Sequence, residues 1–186
     1  MAEKNLRQKL LENVEIRTTD KGNSETLWGD DSDTGQPIIF INDSLYKGAG
    51  RDKMISAESL HLLKVRDPER HAELESTALA DPEYMAWAKR SYDFVTGKEP
   101  YPETGKYQPE EDREQRSFDK WHNVSRFDQV IGGYLYAEDP DLPTMKGWNR
   151  ADLPMGKELR GQLETFREEW ETPPKLGNAK PQRIAE

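Results

Sequence analysis

The alternation of apolar and polar residues predicts a small sheet near the N-terminus. Val14–Thr19 alternates as a half-buried strand does, and after a turn at Asp20–Asn23 the residues Glu25–Trp28 form a second candidate strand. Pro37–Asn42, which reads Pro-Ile-Ile-Phe-Ile-Asn, has the clearest strand pattern in the chain. We therefore expect a small antiparallel or mixed sheet before the first long helix.

Apolar residues at spacings of three and four predict a bundle of about four to five helices after this sheet. Two of these helices begin at the pairs Asp67-Pro68 and Asp81-Pro82, because Asp caps a helix N-terminus and Pro fits its first turn. The predicted helices are a short one over residues 3–13, then Lys53–Val65, residues 67–79, a helix from Asp81, Glu110–Ala137 and Gly156–Trp170. The fold class is therefore α+β, with residues 1–171 as a single domain. Residues 172–186, which include three prolines, are expected to form an extended C-terminal arm.

The charge balance narrows the classes of partner. The chain has 186 residues, and its 36 acidic against 27 basic residues give a formal net charge of -9. Duplex nucleic acid is not expected as a partner, because phosphate binding requires a basic surface. The absence of cysteine excludes disulfides, cysteine zinc sites and cysteine nucleophiles. No apolar run approaches the roughly 20 residues that span a bilayer, so we expect a cytoplasmic protein without a membrane partner.

One segment carries a chemical signal. The predicted strand Ile38–Asn42 is followed by a helix that contains Ala57-Glu58-Ser59-Leu60-His61. This order resembles the core of zincin-type metallopeptidases, in which an edge strand ending in Ile-Asn precedes a helix with the motif His-Glu-x-x-His. Histidines at i and i+4 hold one zinc ion in that motif, and the Glu activates the zinc-bound water. Glu58 and His61 match the second and fifth positions, but Ala57 stands where the first histidine should be.

The resemblance implies roles for three residues. Glu58 would be the catalytic carboxylate, and His61 and Asp128 would be metal ligands, with zinc as the cofactor if the site is functional and no cofactor otherwise. Asp128 is preferred over His122 as the later ligand because it lies among apolar residues on a face expected to pack inward. The two are about 240° apart on a regular α-helix, so they are not expected to face one site. Because Ala57 removes one imidazole, the resemblance implies a degenerate site.

The function predicted from this resemblance is binding without catalysis. A degenerate zincin-like protein would hold a polypeptide in the groove beside the edge strand Ile38–Asn42. Similar domains occur in phage and mobile-element proteins, which would make the protein a virion-associated component if it is viral. The alternatives are an active zinc metallopeptidase with an atypical site, an acidic assembly or adaptor protein unrelated to zincins, and an acidic mimic of nucleic acid. The expected partner is a protein, which could bind through the arm 172–186.

The remaining histidines and the aromatic residues suggest less specific interpretations. Glu58-x-x-His61 and Asp119-x-x-His122 share the carboxylate-x-x-His spacing of di-iron bundles, which is a weaker metal hypothesis. His71 is predicted to be a surface residue of its helix. Most tryptophans and tyrosines, Trp87 and Trp121 among them, fall at helical spacing and are predicted to pack in the core.

Overall fold

A small sheet and a set of helices make up the part of the chain that the computed structural model describes. This part comprises residues 4–20, 25–27, 35–102, 104–137, 139–142 and 149–171. The α+β class predicted from the sequence is confirmed. The predicted arm 172–186 lies outside the described residues.

The described strands and helices follow the chain in this order. The first are α1 (Leu6–Leu10), β1 (Glu15–Thr19), β2 (Glu25–Leu27), β3 (Ile38–Asn42) and α2 (Ala49–Glu58). A 3-10 segment, Ser59–Leu62, then leads into α3 (Leu63–Arg66), α4 (Pro68–Ala80) and α5 (Pro82–Val95). After a 3-10 turn at Glu110–Asp112 come α6 (Phe118–Trp121), a π-helical segment at His122–Arg126 and α7 (Phe127–Tyr136). A 3-10 turn at Arg150–Asp152 precedes α8 (Lys157–Glu171).

The sheet is mixed, and β3 is its central strand. β1 pairs with β3 in parallel, with Glu15 opposite Ile38, and β2 pairs with β3 antiparallel, with Glu25 opposite Phe40. Both sides of β3 are therefore hydrogen-bonded to neighbouring strands of the same chain. The expectation that Ile38–Asn42 is an edge strand that could pair with an extended peptide is wrong, because β1 and β2 occupy both of its sides.

The helix starts predicted from the two Asp-Pro pairs are confirmed. Asp67 caps α4 by accepting a hydrogen bond from the backbone N–H of Arg70 at 3.2 Å. Asp81 caps α5 by accepting from the backbone N–H of Tyr84 at 3.1 Å. Among the described helices, none combines the length and the apolar character needed to cross a bilayer.

Two predicted helices are interrupted. The segment predicted as the helix Lys53–Val65 leaves α-helical geometry at Ser59, where a 3-10 segment begins. The segment predicted as the helix Glu110–Ala137 starts only at Phe118 and contains the π-helical segment His122–Arg126. Both interruptions lie next to candidate site residues, and π segments of this kind are frequent at functional sites.

The core has two parts. The larger part lies between the helices and includes Leu10, Leu74, Tyr84, Phe127, Ile131 and Phe166, all at most 1% exposed. The smaller part lies between the sheet and α2 and contains Ile39, Ile41, Tyr46, Met54 and Leu142. The sheet is thus attached to the helices mainly through α2, which carries Glu58 at its last position.

Two helical glycines give a matched test of this packing. A Cβ atom on Gly50, in α2, would lie 2.5 Å from the backbone oxygen of Asp141, whereas a Cβ on Gly161, in α8, would have no described atom beyond its own helix within 4 Å. We expect Gly50→Ala to lower the free energy of unfolding by about 2 kcal/mol through overpacking. Gly161→Ala is expected to raise it by about 0.5–1 kcal/mol, because Ala loses less backbone entropy in a helix. Urea unfolding of both variants checks the pair, and equal effects would contradict the close approach at Gly50.

Candidate functional site

Histidines and carboxylates alternate in a buried chain of side chains between the helices. His61, His71 and His122, which are the three histidines of the sequence, all belong to it. Asp128 lies between His61 and His71, and Glu75 lies between His71 and His122. We call this set of five side chains the histidine–carboxylate network.

The structure brings the three predicted site residues together at one end of this network. His61 Nδ1 lies 3.3 Å from Asp128 Oδ2, and His61 Nε2 lies 3.8 Å from Glu58 Oε2. Glu58 Oε2 also accepts a hydrogen bond from the Thr26 hydroxyl on β2 at 3.0 Å. The Asp128 side chain is 3% exposed and that of His61 23%. This end of the network therefore reaches the surface at His61.

The other end of the network is closed by a tyrosine. Glu75 Oε1 lies 3.3 Å from His122 Nδ1, while Glu75 Oε2 lies 3.9 Å from His71 Nδ1. The Tyr84 hydroxyl lies 2.7 Å from His122 Nε2, which leaves both nitrogens of this imidazole next to a polar partner. The His122 ring also stacks on Phe127 with a centroid distance of 5.5 Å. The interior end of the network is thus enclosed by aromatic side chains.

The local backbone explains how residues from separate helices meet. His71 and Glu75 are one turn apart on α4, so they present neighbouring side chains on one face. His122 and Asp128 approach that face from the π segment and from α7, respectively. A π turn holds more residues than an α turn, so the angle of about 240° expected for a regular α-helix does not apply here. His122 and Asp128 consequently join one network, although a regular helix would separate them.

Burial and pairing set the protonation of the network. Burial alone would lower the pKa of His61, but the hydrogen bond to Asp128 and the charge of Glu58 outweigh it and raise this pKa. Burial alone would raise the pKa of Asp128, but hydrogen bonds from His61 and His71 lower it. His61 and Asp128 therefore favour the charged pair. Burial lowers the pKa of His122 despite the carboxylate of Glu75, which favours a neutral imidazole there.

The predicted zinc ligands fit a metal only in part. In a tetrahedral zinc site, ligand atoms about 2.1 Å from the metal are roughly 3.4 Å apart, which is close to the 3.3 Å between His61 Nδ1 and Asp128 Oδ2. A zinc site needs at least one further protein ligand directed at the same point. Asp128 instead turns its other oxygen to His71 at 3.3 Å. Among the described residues, no group of three or more His, Asp or Glu side chains is arranged to hold a metal ion.

A groove lies beside the π segment, which supplies Arg126 to its lining. It has a volume of about 870 Å³, and α5 supplies one of its walls. Its lining includes Trp87, Arg90, Phe94, Tyr101, Trp121 and Arg126, and we call it the aromatic–arginine groove. The guanidinium carbon of Arg126 lies 4.4 Å from the centre of the Trp87 ring. Because His122 and Arg126 belong to one π segment, this segment contributes to both the network and the groove.

The sequence prediction for His71 is wrong. His71 is 4% exposed and lies in the network rather than on the surface. A signal for its burial exists in the sequence, because His71, Leu74 and Ala78 share one face of the capped helix α4, and all three are buried. Glu75, one turn after His71, could have been found on the same argument.

The groove could not be predicted from the sequence, because the residues that line it are distant from one another along the chain. Trp121 is buried as predicted, at 4% exposed, and Trp87 is only partly buried, and both of them line the groove. The aromatic spacing gave no sign that Arg126 would lie against Trp87. The roles predicted for Glu58, His61 and Asp128 stay predictions, since their proximity is compatible with more than one function.

Comparisons with known proteins do not assign the chain to a family. The chain matches no protein family model, no curated protein and no solved structure. The geometry of the network and of the groove therefore has to support any proposed function.

Proposed function

We propose that the protein acts by binding a partner polypeptide and that it catalyses no reaction. The observation that supports binding is the aromatic–arginine groove, with its volume of about 870 Å³. Protein interfaces draw most of their binding energy from a few aromatic and arginine side chains in well-packed sites that the partner shields from water. Trp87 and Arg126, which stack on one another in the groove, are residues of this kind.

The surroundings of the candidate catalytic residues support the non-catalytic part of the proposal. A general base has to reach a proton of a substrate or of a water molecule. The Glu58 carboxylate already has the Thr26 hydroxyl 3.0 Å away and His61 3.8 Å away. Each carboxylate oxygen of Asp128 already faces a histidine, with Oδ2 next to His61 and Oδ1 next to His71. The missing histidine at Ala57 favours the same conclusion.

A second candidate is an acidic adaptor protein unrelated to zincins. Two observations favour it, namely that β3 is a central strand and that α-helical geometry ends within the motif, at Ser59. The zincin-like origin, with the phage or mobile-element context that it implies, rests on the residues Ala57–His61 and on the strand Ile38–Asn42 that precedes their helix. Both candidates bind a protein, so the groove serves either of them.

Zinc content separates these proposals from an active metallopeptidase. We expect the native protein, purified without chelators, to contain no stoichiometric zinc by elemental analysis. We expect the same of Ala57→His, because Ala57 packs against the small core cluster between the sheet and α2, whereas Asp128 faces His61 and His71. Stoichiometric zinc in the native chain, with casein hydrolysis that Glu58→Gln abolishes, would instead establish the peptidase. Zinc in Ala57→His only would support a degenerate zincin site.

A peptide library tests binding through the groove. We expect selection of random twelve-residue displayed peptides on the native protein to enrich a family that Trp87→Ala binds about thirtyfold more weakly, as for other hot-spot residues. The control is Tyr107→Ala, which removes an aromatic ring that is 56% exposed and outside the groove. Enriched peptides that bind Trp87→Ala as well as they bind the native protein would overturn the assignment of the groove, and no enrichment would overturn the proposed function.

A further inference from the structure

Arg126 has an unusual set of partners for a partly buried arginine. Its Nη1 donates to Gln129 Oε1 at 3.3 Å and its Nη2 to Ser91 Oγ at 3.5 Å, so both hydrogen bonds are long and both acceptors are neutral. Its Nε is buried and has no hydrogen-bond partner among the residues that the structure describes. Burial lowers the pKa of Arg126, which indicates that its surroundings stabilise the charge poorly.

Aromatic rings provide part of the compensation. The guanidinium carbon lies 4.4 Å from the Trp87 ring centre and 5.9 Å from that of Trp121. Cation–π contacts of this kind favour the charged form, but they leave the N–H groups without strong acceptors. The guanidinium therefore retains N–H groups that could donate hydrogen bonds to a carboxylate.

The arginines of the groove differ from other arginines of the chain in their ion pairing. Arg51 pairs with Asp43 at 2.9 Å, and Arg70 pairs with Glu169 at 3.0 Å. Neither of the arginines that line the groove, Arg90 and Arg126, forms an ion pair within the described part of the chain. The chain has a net charge of -9, so carboxylates are abundant, yet Asp152 is the one acidic residue among the described lining residues. The groove is a locally positive site on an acidic protein.

We propose that the aromatic–arginine groove binds an acidic segment of its partner, in which Asp or Glu lies beside a large apolar side chain. This proposal rests on the proposed function, that the groove is the binding surface for a polypeptide. The planar guanidinium of Arg126 suits bidentate contact with a carboxylate, and Arg90 supplies a second positive charge. Trp87, Phe94 and Tyr101 supply the aromatic walls against which the apolar side chain packs.

Charge favours a peptide over a nucleic acid as the occupant. Nucleic acids present a phosphate at every nucleotide and require a continuous basic surface. The groove offers two arginines with a carboxylate, Asp152, at its lining, and the rest of the chain has excess negative charge. A short acidic segment needs only the local positive charge that the groove provides.

Matched peptides test the charge requirement. The probes are fluorescein-labelled, amidated Asp-Glu-Phe-Asp-Glu and its neutral counterpart Asn-Gln-Phe-Asn-Gln, with fluorescence anisotropy as the measurement at 20 and 500 mM NaCl. We expect the acidic peptide to bind at least about tenfold more tightly at low salt, and added salt to reduce the difference. Arg126→Gln is expected to remove most of this preference, Arg126→Lys part of it, and Arg90→Gln, an exposed residue, a smaller part. Arg51→Gln, which alters an arginine outside the groove, should leave it unchanged.

The outcomes separate this inference from the proposed function. Equal binding of both peptides, lost in Trp87→Ala, would overturn the acidic preference and leave the groove as a polypeptide site. An acidic preference that survives in both Arg126→Gln and Arg90→Gln would overturn the role of the groove arginines. Binding of neither peptide, while oligo(dT) binds and Arg126→Gln abolishes that binding, would replace the peptide with single-stranded nucleic acid. Failure of all three probes, with no peptide enriched from a library, would overturn both proposals.

Discussion

Replacing Asp128 with asparagine is expected to lower the free energy of unfolding by about 3 kcal/mol. Asp128 is 4% exposed and its carboxylate faces His61 and His71, each at 3.3 Å. Asparagine keeps the shape of the side chain but loses the negative charge, so a positively charged His61 would lose its closest counter-charge. A loss of this size is a large share of the roughly 5–15 kcal/mol that stabilises a typical domain. Urea denaturation followed by tryptophan fluorescence and circular dichroism measures it.

Asp119→Asn is the matched control for Asp128→Asn. Asp119 lies in the first turn of α6, in the same region of the chain, but it is exposed. Its replacement should cost only a few tenths of a kcal/mol, mainly through the weaker interaction with the helix dipole. Unchanged or increased stability of Asp128→Asn would indicate that Asp128 is kept at a cost in stability, as functional residues often are. That result would count against the proposal that the protein catalyses no reaction.

The parts of the fold that could be predicted are those that depend on local sequence. The caps Asp67 and Asp81 determine where α4 and α5 begin through contacts with residues two or three positions away. The pattern Ile-Ile-Phe-Ile likewise identifies β3, because a strand buried on both faces needs apolar residues throughout. The position of β3 between β1 and β2 could not be predicted, since it depends on pairing between separate segments.

The candidate site depends on contacts that the sequence does not encode locally. Asp128 and His71 are 57 positions apart, and Tyr84 and His122 are 38 apart. Regular helical geometry predicted correctly that Asp128 faces inward, but it separated Asp128 from His122, because it could not include the π segment. The hydrogen-bond partners of Asp128 are two histidines from separate segments, His61 and His71, and neither is close to it in the sequence.

Two histidines of the network act on stability in opposite directions as the pH changes. The pKa of His122 is lowered by burial. Below the ordinary histidine pKa of about 6.5, His122 is therefore protonated in the unfolded chain and stays neutral in the folded protein. His122 therefore reduces stability as the pH falls through 6.5. The pKa of His61 is raised by Asp128 and Glu58 against the effect of burial. Its contribution is complete below pH 6.5 and is lost as the pH rises through its folded pKa.

We therefore expect the free energy of unfolding to be greatest near pH 6.5 and to fall on both sides. Each proton that binds to one state only contributes a slope of at most about 1.4 kcal/mol per pH unit. Urea unfolding at half-unit intervals from pH 5 to 9 measures the profile above the range in which surface carboxylates titrate.

His122→Gln should flatten the acid side alone, and His61→Gln the alkaline side alone. A profile whose acid side is unchanged in His122→Gln would show that another group takes up the proton and that the imidazole of His122 is not held neutral by burial. Asp128, whose pKa is lowered from 3.8, adds a further loss only below that range.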